Sequence, residues 1–222
     1  FEKLARLPTE VIYASEFRYH PPIIDKETAV FAVSQSGETA DTLEAVREAK
    51  KTGALTLGIV NVVGSSIARE VHAGVYNHAG PEIAVASTKA FVSQLAVLIL
   101  TAVHFGRLRG AISQESAAEL LKELLALPSK ARKILVSGGK IKNLAKHYSR
   151  YDNFLYMGRK YNWPVSLEGA LKLKEISYVH AEGYPAGEMK HGPISLVDSN
   201  FPAMIIAPRD SVYEKTISNL QE

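Results

Sequence analysis

The stretch A-V-F-A-V-S-Q-S-G-E-T-A-D-T, residues 29 to 42, decides the fold. Ala29 to Val33 is a short apolar run, and such a run favours a buried strand. Thr39 to Thr52 has helical spacing, with acidic residues early and basic residues late, as the helix dipole favours. A buried strand followed at once by a helix predicts an α/β fold with a largely parallel sheet.

The alternation of strand and helix continues along the chain. Further strands are predicted at 54–60, 74–77, 153–158 and 201–208, with a weaker one at V-I-Y-A, residues 11–14. Helices are predicted at 64–71, 87–105, 113–146 and 164–178, and a long loop at 180–193. The chain is therefore expected to form two α/β subdomains, at 1–108 and 151–222, joined by a helical connector at 109–150.

Composition excludes several classes of function. The net charge is only +3 and the basic residues are scattered, which argues against a nucleic-acid partner. The chain has no cysteine, which excludes a cysteine-bound metal or a cysteine nucleophile and fits a cytoplasmic protein. The most apolar run, Leu95 to Val103, is shorter than the roughly 20 residues that span a bilayer. No metal-ligand spacing recurs, so neither a metal nor another cofactor is expected.

The segment S-Q-S-G-E-T, residues 34–39, has two possible interpretations. A helix N-terminus that follows a parallel strand can bind a phosphate, with hydroxyl donors from Ser34, Ser36 and Thr39. No lysine follows in P-loop spacing, so a phosphomonoester fits better than a nucleoside triphosphate. Alternatively, Ser36 and Thr39 form a capping box, or a serine is the N-cap with Glu38 in the first turn, and the pattern alone favours such a cap. Glu38 and Asp41 argue against an anion here, unless their side chains point away.

A second hydroxyl-rich helix start occurs at E-I-A-V-A-S-T-K-A-F, residues 82–91. Ser87 and Thr88 open the long apolar helix after a loop. They could face the same crevice as the first start, but an ordinary N-cap is the simpler interpretation.

The helix P-V-S-L-E-G-A-L-K-L-K-E-I-S-Y, residues 164–178, carries a stripe of ionisable groups. Glu168, Lys172 and Glu175 fall on one side at helical spacing. Apolar residues surround this stripe, so we expect a mostly buried helix. Partly buried carboxylates beside a lysine suit proton transfer, but an ion pair on a helix shoulder explains the spacing equally well.

The segment H-A-E-G-Y-P-A-G-E-M-K-H-G-P, residues 180–193, carries His191 in a glycine-rich context. Histidine titrates near neutrality and suits acid–base catalysis, although a lone loop histidine is usually a surface residue. The flanking Gly192-Pro193 predicts a rigid turn, which makes His191 a better candidate than most.

Four of these segments together resemble the sugar isomerase (SIS) domains of the glucosamine-6-phosphate synthase family. They are S-Q-S-G-E-T-A-D-T, V-A-S-T-K-A-F, L-E-G-A-L-K-L-K-E-I-S-Y and A-G-E-M-K-H-G-P. The resemblance implies two flavodoxin-like subdomains of three α/β/α layers and a hexose 6-phosphate substrate. It also implies the conversion of fructose 6-phosphate to glucosamine 6-phosphate, with ammonia from a glutaminase domain of the same polypeptide.

The resemblance also implies how the substrate is held. The residues implied around its phosphate are Ser34, Gln35, Ser36 and Thr39. Val85 and Ser87 are implied to contact the sugar hydroxyls.

Three residues are implied to catalyse the reaction. Glu175 is implied to move a proton between C1 and C2, and Lys172 to assist with a hydroxyl proton. His191 is implied to open the sugar ring from a neighbouring subunit, and a homodimer is therefore expected.

The chain departs from the family pattern at both ends. The glutaminase domain, the first strand of the first subdomain and the C-terminal tail are missing, so a fragment is expected. Two alternatives stay open: a non-catalytic SIS module that binds a phosphosugar, and an aminosugar-phosphate deglycase or isomerase. The pair of Glu175 and His191 favours an enzyme over a binding module.

Overall fold

The computed structural model describes residues 1–20 and 22–222 and contains two compact units. The first comprises Phe1–Ile83 and Ser87–Ala131, and the second comprises Ala84–Ala86 and Arg132–Glu222. Each unit has a three-stranded parallel sheet with helices packed against it. The predicted α/β class with parallel sheets is confirmed. The boundaries proposed at residues 108 and 150 stay a prediction.

The first unit is built on a sheet of order β1-β2-β3. Its strands are β1 (Ala29–Ser34), β2 (Leu55–Val60) and β3 (Ala73–Tyr76). Its helices are α1 (Glu2–Ala5), α2 (Ala14–Phe17), α3 (Ala40–Lys51), α4 (Ser66–Glu70), α5 (Lys89–Leu108) and α6, which runs from Gln114 to Val136 and so extends beyond this unit. One core cluster joins Ala32 of β1, Val46 of α3, Val60 of β2 and Ile67 of α4. This packing fixes the turn between β1 and α3 relative to the start of α4.

The second unit is built on a sheet of order β5-β4-β6. Its strands are β4 (Asn153–Gly158), β5 (His180–Pro185) and β6 (Ala203–Ile206). Its helices are α7 (Gly138–Tyr148), α8 (Asn162–Ser177) and α9 (Tyr213–Gln221), with 3-10 helices at Ala186–His191 and Pro193–Leu196. Helix α8 packs on β4 and β5, and this packing holds the helix that carries the ionisable stripe.

The prediction of a long loop at 180–193 is wrong. His180–Pro185 forms the edge strand β5, which pairs in parallel with β4, and Ala186–His191 forms a 3-10 helix. Gly183 is needed here, because a Cβ at that position would lie 2.8 Å from the Cα of Leu167. Glycine and proline are tolerated in this edge strand, and they hid it from the pattern.

The weak strand predicted at residues 11–14 is also wrong. Ala14 begins the short helix α2, whose first turn is closed by bonds from the N–H groups of Glu16 and Phe17 to the Tyr13 carbonyl. Val11 and Tyr13 are exposed, and Ile12 between them packs against Phe17 of α2.

Helix α5 is the one helix among residues 1–20 and 22–222 that is long and apolar enough to cross a membrane. Its 20 residues extend beyond Leu95–Val103, the most apolar run in the sequence. Length and composition alone are weak evidence for a membrane segment, because core helices of globular proteins often pass the same test.

Candidate active site

The loop from Ser34 to Thr39 joins β1 to α3, and two serine hydroxyls fold it. The Oγ of Ser34 accepts the N–H of Gly37 at 3.0 Å, and the Oγ of Ser36 accepts the N–H of Glu38 at 3.2 Å. Ser34 is buried, whereas Gln35 and Ser36 are partly exposed. The four predicted phosphate contacts, Ser34, Gln35, Ser36 and Thr39, therefore lie together in this one turn, which we call the cradle loop.

The cradle loop depends on its glycine. Gly37 has a φ of +67°, in the left-handed region that disfavours side chains. A Cβ at Gly37 would lie 2.0 Å from the Oγ of Ser65 and 2.6 Å from the Cγ1 of Val60. Both the backbone conformation and the close approach therefore require glycine.

The first turn of α3 is not capped by a side chain. Thr39 is the N-cap residue, but its side chain makes no capping hydrogen bond. The predicted capping box of Ser36 and Thr39 is thus wrong, because the Ser36 hydroxyl instead accepts the N–H of Glu38. An uncapped helix start presents free N–H groups and the positive end of the helix dipole, which together attract an anion.

Glu38 turns its carboxylate to another helix. Its Oε1 accepts the N–H of Ser66 at 2.8 Å, at the start of α4. Hydrogen bonds from the Ser66 hydroxyl and backbone N–H hold the pKa of Glu38 below its ordinary value. Asp41 is exposed on the first turn of α3. The side chain of Glu38, the acidic residue within the cradle loop, therefore has a structural partner of its own.

The start of α5 is arranged differently, because a carboxylate already occupies it. The Oε1 of Glu82 accepts the N–H groups of Thr88 and Ala90, each at 2.9 Å, and lies 3.4 Å from the Ser87 hydroxyl. Hydrogen bonds from Ala90 and Thr88 lower the pKa of Glu82. The second hydroxyl-rich segment is thus a capped helix start. Its cap is Glu82, which sequence reasoning missed.

Val85 and Ser87 lie in the segment that precedes α5. Val85 is 89% exposed. Ser87 is partly buried, and its hydroxyl points to Glu82. The predicted sugar contacts at these two residues stay a prediction.

The stripe on α8 is an ion-pair network. The Nζ of Lys172 lies 2.6 Å from the Oε2 of Glu175 and 3.4 Å from the Oε1 of Glu168. These three side chains are 23–28% exposed, so they are partly buried but still accessible to water. The structure therefore joins two of the predicted catalytic residues, Lys172 and Glu175, through a direct hydrogen bond.

Opposing effects act on the charge of Lys172. Burial acts to lower its pKa, but the hydrogen bond to Glu175 and the charge of Glu168 outweigh it, and the pKa is raised above its ordinary value. Lys172 therefore stays protonated at neutral pH and can donate to an oxygen atom.

The expectation that α8 is mostly buried is wrong. Only Ser166 and Ala170 are buried on this helix. Leu167 and Leu171 are 43% and 41% exposed, and Ile176 is 66% exposed. Ser166 and Ala170 are buried on the face towards the sheet, and Leu173 packs beside Ala170 against Tyr156 and Ala181.

His191 ends the 3-10 helix at Ala186–His191 and is exposed. Gly192 follows with a φ of +147°, in the turn between the two 3-10 helices. Within residues 1–20 and 22–222, no hydrogen bond or ion pair links His191 to Lys172 or Glu175, and no cluster of side chains suits a metal ion.

Residues 1–104 and 147–221 match the family described as SIS domain. The match covers more than half of the chain and extends over parts of both compact units. The chain belongs to the SIS domain family.

Relatives of this SIS chain carry a consistent name. It is 53% identical over 221 residues to a glutamine–fructose-6-phosphate aminotransferase (isomerizing) of Bacteroides thetaiotaomicron, and 55% identical over 221 residues to one of Chlorobaculum tepidum. Both alignments cover all of this chain but only 36% of the relative. The SIS chain thus spans just over a third of the length of these curated relatives.

A solved structure has the same fold. The C-terminal domain of a glucosamine-fructose-6-phosphate aminotransferase from Francisella tularensis matches 99% of this chain, with a TM-score of 0.96 and 41% identity. The match covers 62% of that domain. The resemblance predicted from the four sequence segments is confirmed by these comparisons.

Proposed function

We propose that this SIS chain is the sugar-phosphate isomerase part of a glutamine–fructose-6-phosphate aminotransferase. It would bind fructose 6-phosphate and convert it to glucosamine 6-phosphate with ammonia from a glutaminase domain. The observation that carries the proposal is the 53–55% identity over the whole chain with relatives of that name. The geometry of the cradle loop and of the Lys172–Glu175 pair supports the individual steps.

The cradle loop would hold the phosphate of the substrate. The uncapped start of α3 supplies N–H groups and a positive dipole end. The proposed side-chain contacts are Ser34, Gln35, Ser36 and Thr39. Binding at the phosphate fixes one end of the sugar, so that this binding energy also orients the reacting carbons.

The Lys172–Glu175 pair would carry out the proton transfers. Ammonia replaces the C2 oxygen of the ketose, which leaves as water. Isomerisation then moves one proton from C1 to C2 and one proton from the C1 hydroxyl to the nitrogen, so that the C2 imine becomes an amine and C1 becomes the aldehyde. Glu175 is the proposed base for the proton that moves from C1 to C2. Lys172, which lies 2.6 Å from Glu175 and whose pKa is raised, would donate to a sugar oxygen as negative charge develops there.

The remaining predicted contacts complete the proposal. His191, exposed and without a catalytic partner among the described residues, would open the sugar ring in the site of a second subunit of a homodimer. Val85 and Ser87 would contact the sugar hydroxyls, and the protein would be cytoplasmic. No metal or organic cofactor is required for this chemistry.

Replacing Glu175 by glutamine in the full-length protein tests the proposed base. The amide keeps the size of the side chain but cannot take the proton, so isomerisation should fall by about 10²- to 10⁴-fold. Fructose 6-phosphate should still bind, as measured by isothermal titration calorimetry. Lys174→Gln, on an exposed position of the same helix, is the matched control and should keep its turnover. Full turnover in Glu175→Gln would show that the assigned base is wrong.

A further inference from the structure

Two consecutive residues of the cradle loop are hydrogen-bonded to the start of α4. The carbonyl of Gly37 accepts the N–H of Ile67 at 2.9 Å. The next residue, Glu38, accepts the N–H of Ser66 at 2.8 Å through its side chain. These two bonds connect residues about 30 positions apart in the sequence and link the turn after β1 to the turn after β2.

Helix α4 needs this carboxylate because its own N-cap residue does not cap it. Ser65 is the N-cap, yet its side chain makes no capping hydrogen bond. Its Oγ is buried and unpartnered, packed where a Cβ of Gly37 would lie. A helix start leaves N–H groups without partners inside the helix, and Glu38 satisfies one of them.

We propose that Glu38 is a positioning residue for the phosphate site: by capping α4 it holds the cradle loop in the shape that binds the sugar phosphate. This inference rests on the proposed function. Glu38 would act through the loop backbone and would not touch the substrate.

The groups around Glu38 offset its negative charge and so reduce its repulsion of a bound phosphate. Its carboxylate lies at the positive end of α4. Arg69 donates to the Ser66 hydroxyl at 3.2 Å, and its positive charge also favours the ionised form of Glu38. The charge is therefore partly neutralised by α4 and by Arg69.

Two descriptions of Glu38 predict opposite changes in the affinity for fructose 6-phosphate when Glu38 is replaced by alanine. If Glu38 is only a surface charge, Glu38→Ala removes repulsion and fructose 6-phosphate binds more tightly. If Glu38 positions the loop, the same variant loses the cap on α4 and binding weakens. Loss of one N-cap side chain predicts a rise in Kd of about three- to tenfold.

The experiment uses the full-length protein and titrates fructose 6-phosphate into four proteins by calorimetry. They are the wild type, Glu38→Ala, Glu38→Gln and the control Glu44→Ala. Glu44 lies on α3, the helix that follows the cradle loop, and pairs with Arg47 on the same helix. Glutamine keeps an oxygen that accepts the Ser66 N–H, so Glu38→Gln should bind within about twofold of the wild type.

Steady-state kinetics separate positioning from general loss of structure. A looser phosphate site weakens ground state and transition state alike, so KM should rise by the same factor as Kd while kcat is unchanged. Unchanged or tighter binding in Glu38→Ala, or binding in Glu38→Gln that is as weak as in Glu38→Ala, overturns the inference and leaves the proposed function intact. A wild type that binds no fructose 6-phosphate overturns the proposed function and this inference with it.

Discussion

The starts of α3 and α5 look alike in sequence but differ in structure. Both follow a strand and a connecting turn or loop, and serine and threonine precede the first helical residue of both. At α5, Glu82 accepts two backbone N–H groups and fills the helix start. At α3, Thr39 provides no side-chain cap, and the nearby carboxylate of Glu38 has turned to α4. The difference teaches that hydroxyl residues alone do not identify an anion site.

What distinguishes the two starts is where the neighbouring carboxylate lies. A carboxylate at a helix start is the same kind of partner that a phosphate would be. The N–H groups at the start of α5 are therefore already bonded to the carboxylate of Glu82, whereas the N–H groups at the start of α3 remain available to an anion. This contrast supports a phosphate-binding role over a capping role for residues 34–39. The sequence patterns of the two helix starts did not distinguish these roles.

The largest expected effect comes from Gly37→Ala, which disrupts the cradle loop. The new Cβ would meet Ser65 and Val60 at 2.0–2.6 Å, and the φ of +67° strains any side chain. We expect a loss of about 2–5 kcal/mol in the free energy of unfolding, the sum of conformational strain and overpacking. Urea unfolding of the full-length protein measures it.

Gly64→Ala is the matched control for that change. Gly64 has a similar φ of +71°, but a Cβ at this position would have no neighbouring atom within 4 Å. Only the conformational cost applies there, about 1–2 kcal/mol. Equal losses in the two variants would show that the contact with Ser65 does not restrict the cradle loop.

The next effect comes from Glu82→Ala, which opens the start of α5. The variant loses two charge-assisted hydrogen bonds, and we expect Tm to fall by about 2–6 °C at neutral pH. Differential scanning calorimetry measures the shift. Glu10→Ala, at an exposed position in the first unit, should leave Tm unchanged.

The pH dependence of the Glu82→Ala effect has a definite sign. The folded-state pKa of Glu82 is lowered from 4.5, so the folded protein binds this proton less readily than the unfolded chain. The stabilisation is complete above the unfolded pKa and is lost as the pH falls through the lowered folded value. The Tm difference between wild type and variant should thus shrink below about pH 4.5. A difference that stays constant down to pH 2 would mean that Glu82 does not cap α5 through its ionised form.

Local pattern sufficed for much of the fold. Ala29–Ser34 and Asn153–Gly158 are short apolar runs, and both form the strands that such runs predict. Strand β5 was not predicted from the sequence, because glycine and polar residues are acceptable in an edge strand that α8 covers closely at Gly183.

The site was predictable where its residues are close in sequence. Lys172 and Glu175 lie three residues apart on one helix, so helical geometry alone brings them together. Glu38 and Ser66 are 28 residues apart, and their contact depends on how α3 and α4 pack on the sheet. Side-chain partners of that kind follow from tertiary packing, which periodicity does not encode.

The smallest expected effect on stability comes from Thr39→Ala. Replacing a threonine N-cap by alanine usually costs about 0.5–2 kcal/mol, but Thr39 makes no capping bond and should cost less than about 0.5 kcal/mol. Ser113→Ala is the comparison, because the Ser113 hydroxyl accepts the N–H of Ser116 at 3.1 Å at the start of α6 and the variant should show the full cost. Fructose 6-phosphate affinity should change in the opposite order, weakening in Thr39→Ala and not in Ser113→Ala, because Thr39 is one of the proposed phosphate contacts and Ser113 is not. Equal stability losses in the two variants would mean that Thr39 caps α3 after all, and that the starts of α3 and α5 do not differ in the way described.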